Sequence, residues 1–237
     1  MSEAETFRTQ PALRGFAEYL RKPALIAPSG LRARDAWRRL AILTVMQVGV
    51  LLAIVLPLIA AWQKTFGLAG PDAFEQVPEG WLLPLTLLIA PVAEELFFRG
   101  WLTGRPRALW LFACALAVAG LVYGSTQGLA ALAVGAGFLV AVLAAIVGWF
   151  VLRKKSEPPR WFARAFPVIF YLVVIGFALP HLSNYASWSL LSLPLVLPQL
   201  WIGTVLGYVR MRIGLIGSIL LHIASNSAVL LITPLFG

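Results

Sequence analysis

Two glutamates and an arginine stand in the stretch EELFFRG, Glu94 to Gly100, inside a run that is otherwise apolar enough for lipid. Ionisable groups cost about 2.5–3.5 kcal/mol each at the centre of a membrane helix, so each one asks for a partner or a task. On an α-helix Glu95 and Arg99 lie four residues apart on one face, with the acid on the favourable N-terminal side, and can neutralise each other. Glu94 points about 100° away and has no such partner within its own helix. An unpaired carboxyl in a poorly hydrated cavity suits general acid–base work.

The chain has two histidines, and both fall in apolar segments: His181 closes FALPH and His222 opens HIASN. His222 and Asn226 are four apart, so one helix face carries both into the same space. Pro180 disfavours helical geometry in Leu179, which can free backbone groups beside His181. One glutamate, two histidines and an asparagine suit activation of a water and stabilisation of an oxyanion. The same residues also suit interhelical hydrogen bonding, with Glu95 and Arg99 as a structural pair. On residue chemistry alone both readings stand.

The elements that must position these groups follow from composition. The chain of 237 residues is 60% hydrophobic and 12% charged, which sets it among membrane proteins and excludes an ordinary soluble domain. Apolar runs of about 20 residues recur, whereas alternating barrel-type segments do not, so the expected fold is all-α, a polytopic membrane bundle. Seven transmembrane helices are expected, near Ala41–Trp62, Trp81–Trp101, Leu109–Gly124, Leu129–Leu152, Phe166–His181, Trp188–Val209 and Ile213–Phe236. Of the 19 lysines and arginines, all but Lys64 then fall on one side, which places the N-terminus in the cytoplasm. The net charge of +9 is spread between apolar spans and is not gathered on a stripe, so no nucleic-acid partner is expected. Cys114, the single cysteine, allows no intramolecular disulfide and reads as a small apolar helix residue.

Residues 1–40 read as a basic N-terminal segment in which no removable signal peptide is expected, and the first membrane helix would serve for insertion. Within it, Leu13 to Leu25 mixes Leu13, Phe16, Tyr19 and Leu20 with Arg14, Arg21 and Lys22, which suits a helix lying on an anionic membrane surface. Gly203 and Gly207, four apart, read as a close-packing face. Simple rise per residue leaves one mismatch: Glu94 and His222 sit about 15–16 Å from their basic helix ends, but His181 sits about 22 Å from Phe166.

In order and content, EELFFRG (Glu94–Gly100), FALPH (Phe177–His181) and GTVLGYVRMRIGLIGSILLHIASN (Gly203–Asn226) resemble the three motif blocks of the CPBP family, the CAAX protease and bacteriocin-processing membrane proteins, also called Abi. The resemblance implies a glutamate-dependent intramembrane endopeptidase similar to the type II CAAX prenyl endopeptidase. Carried over by position, Glu94 with His181 would activate water, His222 and Asn226 would hold the oxyanion, and Glu95 and Arg99 would support them. The family's first two blocks lie on nearly successive helices, so Leu109–Leu152 reads as a two-helix insertion within a domain spanning 41–237. No cofactor is favoured, with a divalent metal such as zinc left open, because the resemblance assigns every candidate ligand to another task. The expected partners are the lipid bilayer and a membrane-associated peptide or protein substrate. The expected location is a bacterial inner (cytoplasmic) membrane. A different class of function uses the same cavity without catalysis, as a binding, immunity or scaffold protein would.

Overall fold

In the computed structural model, residues 12–73, 75, 77–187 and 189–232 are described. Arg8, the expected start of the sixth pass at Trp188 and the expected end of the seventh at Phe236 lie outside them. Eight helices, and no strand, occur among the described residues. They are α1 (Ala12–Arg21), α2 (Ala36–Phe66), α3 (Glu79–Arg99), α4 (Pro106–Thr126), α5 (Ala131–Leu152), α6 (Arg160–Asn184), α7 (Leu190–Arg212) and α8 (Leu215–Ile232). Six of these, α2 to α7, are long and apolar enough to cross a membrane, and α8 is a shorter apolar helix. The expectation of about seven membrane helices therefore holds. Their outer faces expose leucine, valine and isoleucine side chains that only lipid can solvate, such as Leu132, Val140 and Leu172.

The chain divides into two compact units. One unit comprises residues 100–165, chiefly the hairpin of α4 and α5. Gly128, at φ +89, turns the chain between these helices. Trp110 donates its indole N–H to the Ala144 carbonyl at 2.8 Å and lies so close to Gly148 that a Cβ there would stand 2.1 Å from the indole ring. Beside this contact, at the end of the hairpin away from Gly128, the Arg107 guanidinium sits 4.2 Å from the Trp149 ring centroid.

The other unit comprises residues up to Arg99 and from Phe166 onward, and it carries all the candidate site residues. Its core runs through Phe166, Phe170, Val174 and Phe177 of α6 and Val205, Leu206 and Val209 of α7. Gly207 admits Phe170: a Cβ there would meet the phenyl ring at 2.7 Å, as the close-packing reading of this glycine requires. Helix α1 forms, but ends at Arg21; Phe16 and Tyr19 are covered by protein, whereas Leu13 is half exposed. Phe16 packs edge-on against Trp201 and Tyr208, and Tyr19 lies against Phe170 and Tyr208. After α1 the chain is tied to the α7–α8 turn, where Ser29 N–H donates to Arg212 O and Gly30 N–H to Ile213 O, each at 3.0 Å.

Three helices of this unit depart from α geometry where it bears on function. In α2 and α3, π-type turns occupy Leu51–Val55 and Leu85–Ile89, each ending two residues before a proline, Pro57 and Pro91. Proline lacks an N–H and crowds the carbonyl four residues back, so the ladder is re-paired one residue wider just ahead of it. A third π-type turn covers Glu95–Arg99. Helix α6 starts at Arg160, earlier than the sequence suggested, and tightens to a 3-10 turn over Leu179–Asn184 at Pro180.

Candidate functional site

The second glutamate is the structural centre of the cluster. Glu95 and Arg99 are both fully buried and form an ion pair through Arg99 Nη1 and Glu95 Oε1, within the π-type turn. The other Glu95 oxygen accepts a hydrogen bond from the Ser218 hydroxyl of α8. Arg99 also points Nη2 at the Gly203 carbonyl of α7, 3.4 Å away, and lies 4.4 Å over the Phe177 ring of α6. Arg210, buried on α7, donates its Nε–H to the Arg99 carbonyl at 2.8 Å, placing a cation at the C-terminal end of α3. Gly203 leaves room for this assembly, since a Cβ there would meet Phe177 at 3.1 Å and Arg99 at 3.5 Å.

His222 links the two glutamates. Its Nδ1 lies 3.1 Å from Glu95 Oε1, and its Nε2 lies 3.7 Å from Glu94 Oε2, beyond direct hydrogen-bond range. An ideal α-helix turns successive side chains by about 100°. Here the ladder changes from α to π type between Glu94 and Glu95, and both carboxyls address the same imidazole. The solitary Glu94 of the helical reading thus has a neighbour, on another helix. Exposure separates the two acids: the Glu94 side chain is 29% accessible, that of Glu95 not at all.

His181 reaches the same place. Its Nδ1 pairs with the Phe177 carbonyl at 2.9 Å, as the donating N–H, so the neutral ring carries its lone pair on Nε2. Glu94 and His222 are its ionisable neighbours. Both histidine rings flank Phe177, with centroids 5.2 Å and 5.9 Å from it. The earlier start of α6 at Arg160 and its 3-10 end lengthen the rise to His181 rather than shorten it, so helix length does not remove the depth mismatch; the shared contact with Phe177 is what brings the two histidines together. Asn226 stands one turn beyond His222 on α8, and its Nδ2 donates to the Thr86 carbonyl of α3 at 2.9 Å.

Three residues that the sequence reading passed over belong to this assembly. Ser218 was legible, since Ser218, His222 and Ser225 recur at helical spacing on α8. Gln47 is a polar residue in an apolar stretch of α2; it is fully buried and its side-chain oxygen accepts a hydrogen bond from the Ser225 hydroxyl. Arg210 looked like a topology marker only, and nothing local in the sequence assigns it to the end of α3. An open apolar groove of about 340 Å³, lined by Val55, Leu58, Leu197, Leu200, Trp201 and Thr204, contains none of the site residues. Among the described residues, no group of three His, Cys, Asp or Glu side chains is placed to hold a metal ion.

These observations define a class: an all-helical integral membrane protein whose polar cluster joins α3, α6, α7 and α8. Residues 76–167 match the family model described as type II CAAX prenyl endopeptidase Rce1-like. This is the family grouping that the three motif blocks resemble, and it is a family of proteases. The match takes in Glu94, Glu95 and Arg99, runs through α4 and α5, and stops before His181, His222 and Asn226. No curated protein and no solved structure matches the chain.

Proposed function

We propose that the protein is a glutamate-dependent endopeptidase that hydrolyses a peptide bond of a membrane-associated substrate at or within the bilayer. One observation carries this reading. Of two adjacent glutamates around one histidine, Glu95 is buried and ion-paired, while the Glu94 side chain is 29% accessible.

In this mechanism Glu94 accepts a proton from a water that Nε2 of His181 helps to orient. The water oxygen attacks the scissile carbonyl carbon, and the carbonyl oxygen becomes an oxyanion. His222 is held through Nδ1 by Glu95, so its Nε2 is directed outward, and a protonated ring donates there to the oxyanion. Asn226 has a second amide N–H beyond the one given to Thr86, and it donates to the same oxygen. Collapse of the intermediate breaks the C–N bond, and Glu94 returns the proton to the departing amine. Arg99 and Ser218 keep Glu95 fixed, and Glu95 keeps the His222 ring in one orientation.

The test is cleavage in reconstituted vesicles by wild type and Glu94→Gln, using farnesylated CAAX peptides and unmodified single-span peptides as two substrate panels. Cleavage by wild type that is abolished in the variant supports the mechanism. Equal rates for the two proteins remove Glu94 from it, and the panel that is cleaved gives the substrate class.

A further inference from the structure

In helix α3 the Thr86 carbonyl is left without a donor from its own ladder, and the sequence explains why. In the π-type turn Leu85–Ile89, the Ala90 N–H reaches back to Leu85 rather than to Thr86. The next donor in line for the Thr86 carbonyl is residue 91, which is proline and has no N–H. Such a group is costly away from water. Asn226 of α8 supplies the missing donor through Nδ2 at 2.9 Å. In α2 the corresponding carbonyl before Pro57 is that of Leu52, because the Leu56 N–H pairs with Leu51. No side chain donates to Leu52 among the described residues. The side-chain replacement is thus specific to the helix that carries the glutamates.

The donor's place on α8 gives this contact a consequence. Ser218, His222 and Asn226 are spaced by four, so they form successive rungs on one face. They meet α3 at Glu95, at both glutamates and at Thr86, respectively. The Thr86 rung is the one that reaches the backbone of α3, and it does so about two turns before Glu94.

We propose that Asn226 is a positioning residue: its amide replaces the N–H that Pro91 removes, fixing the register of α3 against α8 and hence the seating of Glu94 and Glu95 about His222. This deepens the endopeptidase reading, in which Asn226 also faces the oxyanion, but its principal readout does not depend on cleavage. The full chain is labelled with 15N-histidine in nanodiscs. Only two histidines contribute, and loss of one set of signals in His222→Gln assigns the other.

Asn226→Ala is expected to shift the His222 ring-nitrogen resonances, and Pro91→Ala in the same chain, which restores an N–H for Thr86, is expected to return them toward wild type. If Asn226→Ala does not fold, recovery of folding by added Pro91→Ala supports the proposal in the same way. His222 resonances unmoved by Asn226→Ala, or a shift or folding defect that Pro91→Ala leaves uncorrected, would overturn it. Cleavage separates the two readings. Rescue of Asn226→Ala activity by Pro91→Ala of tenfold or more, about 1.4 kcal/mol of coupling, marks positioning. A wild type that cleaves neither peptide panel counts against the endopeptidase reading alone, and the histidine spectra still decide the role of Asn226.

Discussion

Replacing Glu95 by glutamine tests whether the cluster is organised around a buried charge. The substitution keeps shape and an accepting oxygen but removes the negative charge that Arg99 faces. Both side chains have zero accessibility, so neither solvent nor counterion can take over. Breaking a buried pair by neutralising one partner costs about 3–5 kcal/mol, because the other charge stays buried. The Ser218 and His222 contacts to Glu95 weaken as well, so the upper half of that range is expected. Removing both charges together, as Glu95→Leu with Arg99→Met, should cost far less than the sum of the single changes, since no uncompensated ion remains. The assay is equilibrium unfolding in mixed micelles of increasing SDS fraction, followed by tryptophan fluorescence, for the wild type, both single variants and the double variant. A Glu95→Gln loss below about 1 kcal/mol, or a double variant that simply adds its parents, would refute the reasoning.

Other outcomes follow from packing and from the chain outside the membrane. Gly207→Ala sets a methyl against Phe170 and should destabilise by about 1–3 kcal/mol, whereas Gly120→Ala, with no atom within 4 Å of the new Cβ, should not destabilise; unfolding midpoints of the two variants check this. Asp35, just ahead of α2, accepts a hydrogen bond from Arg39, which holds its carboxyl below the usual carboxylate range. A lowered folded-state value means that the stabilisation is present above the ordinary carboxylate range and is lost as pH falls through the lowered one. The contribution is small because the Asp35 side chain is 48% exposed; Asp35→Asn should flatten the acid limb of the pH–stability curve measurably but slightly.

Much of the molecule was legible in the amino-acid order, and the exceptions share a cause. Long apolar runs and the side on which basic residues fall identify the membrane helices, because lipid imposes that pattern on every span. Helix ends were read less well: α6 continues back to Arg160 through RWFARA, whose two arginines interrupt the apolar run that marks a span. The pairing of Glu95 with Arg99 follows from spacing of four, and the structure shows it. The surroundings of Glu94 do not follow, because the 100° rule assumes an uninterrupted α ladder and the turn type changes at that residue. Pro91 announces a disturbance in α3, but not that its repair comes from Asn226, 140 residues along the chain from the Thr86 carbonyl it serves. Likewise Phe16 and Tyr19 declare an amphipathic α1; whether lipid or protein covers these two rings is a tertiary fact, and here Trp201, Tyr208 and Phe170 cover them.

The central claim is that the accessible glutamate, rather than the buried one, performs the chemistry. Its most direct test is the single-turnover cleavage rate of a membrane peptide by Glu94→Gln, at a folded fraction matched to wild type by the SDS titration. Loss of a general base of this kind lowers the rate by about 10²–10⁴-fold, and a fall of that size with stability retained is the predicted result. A Glu94→Gln protein that is equally folded and cleaves at the wild-type rate would contradict the account.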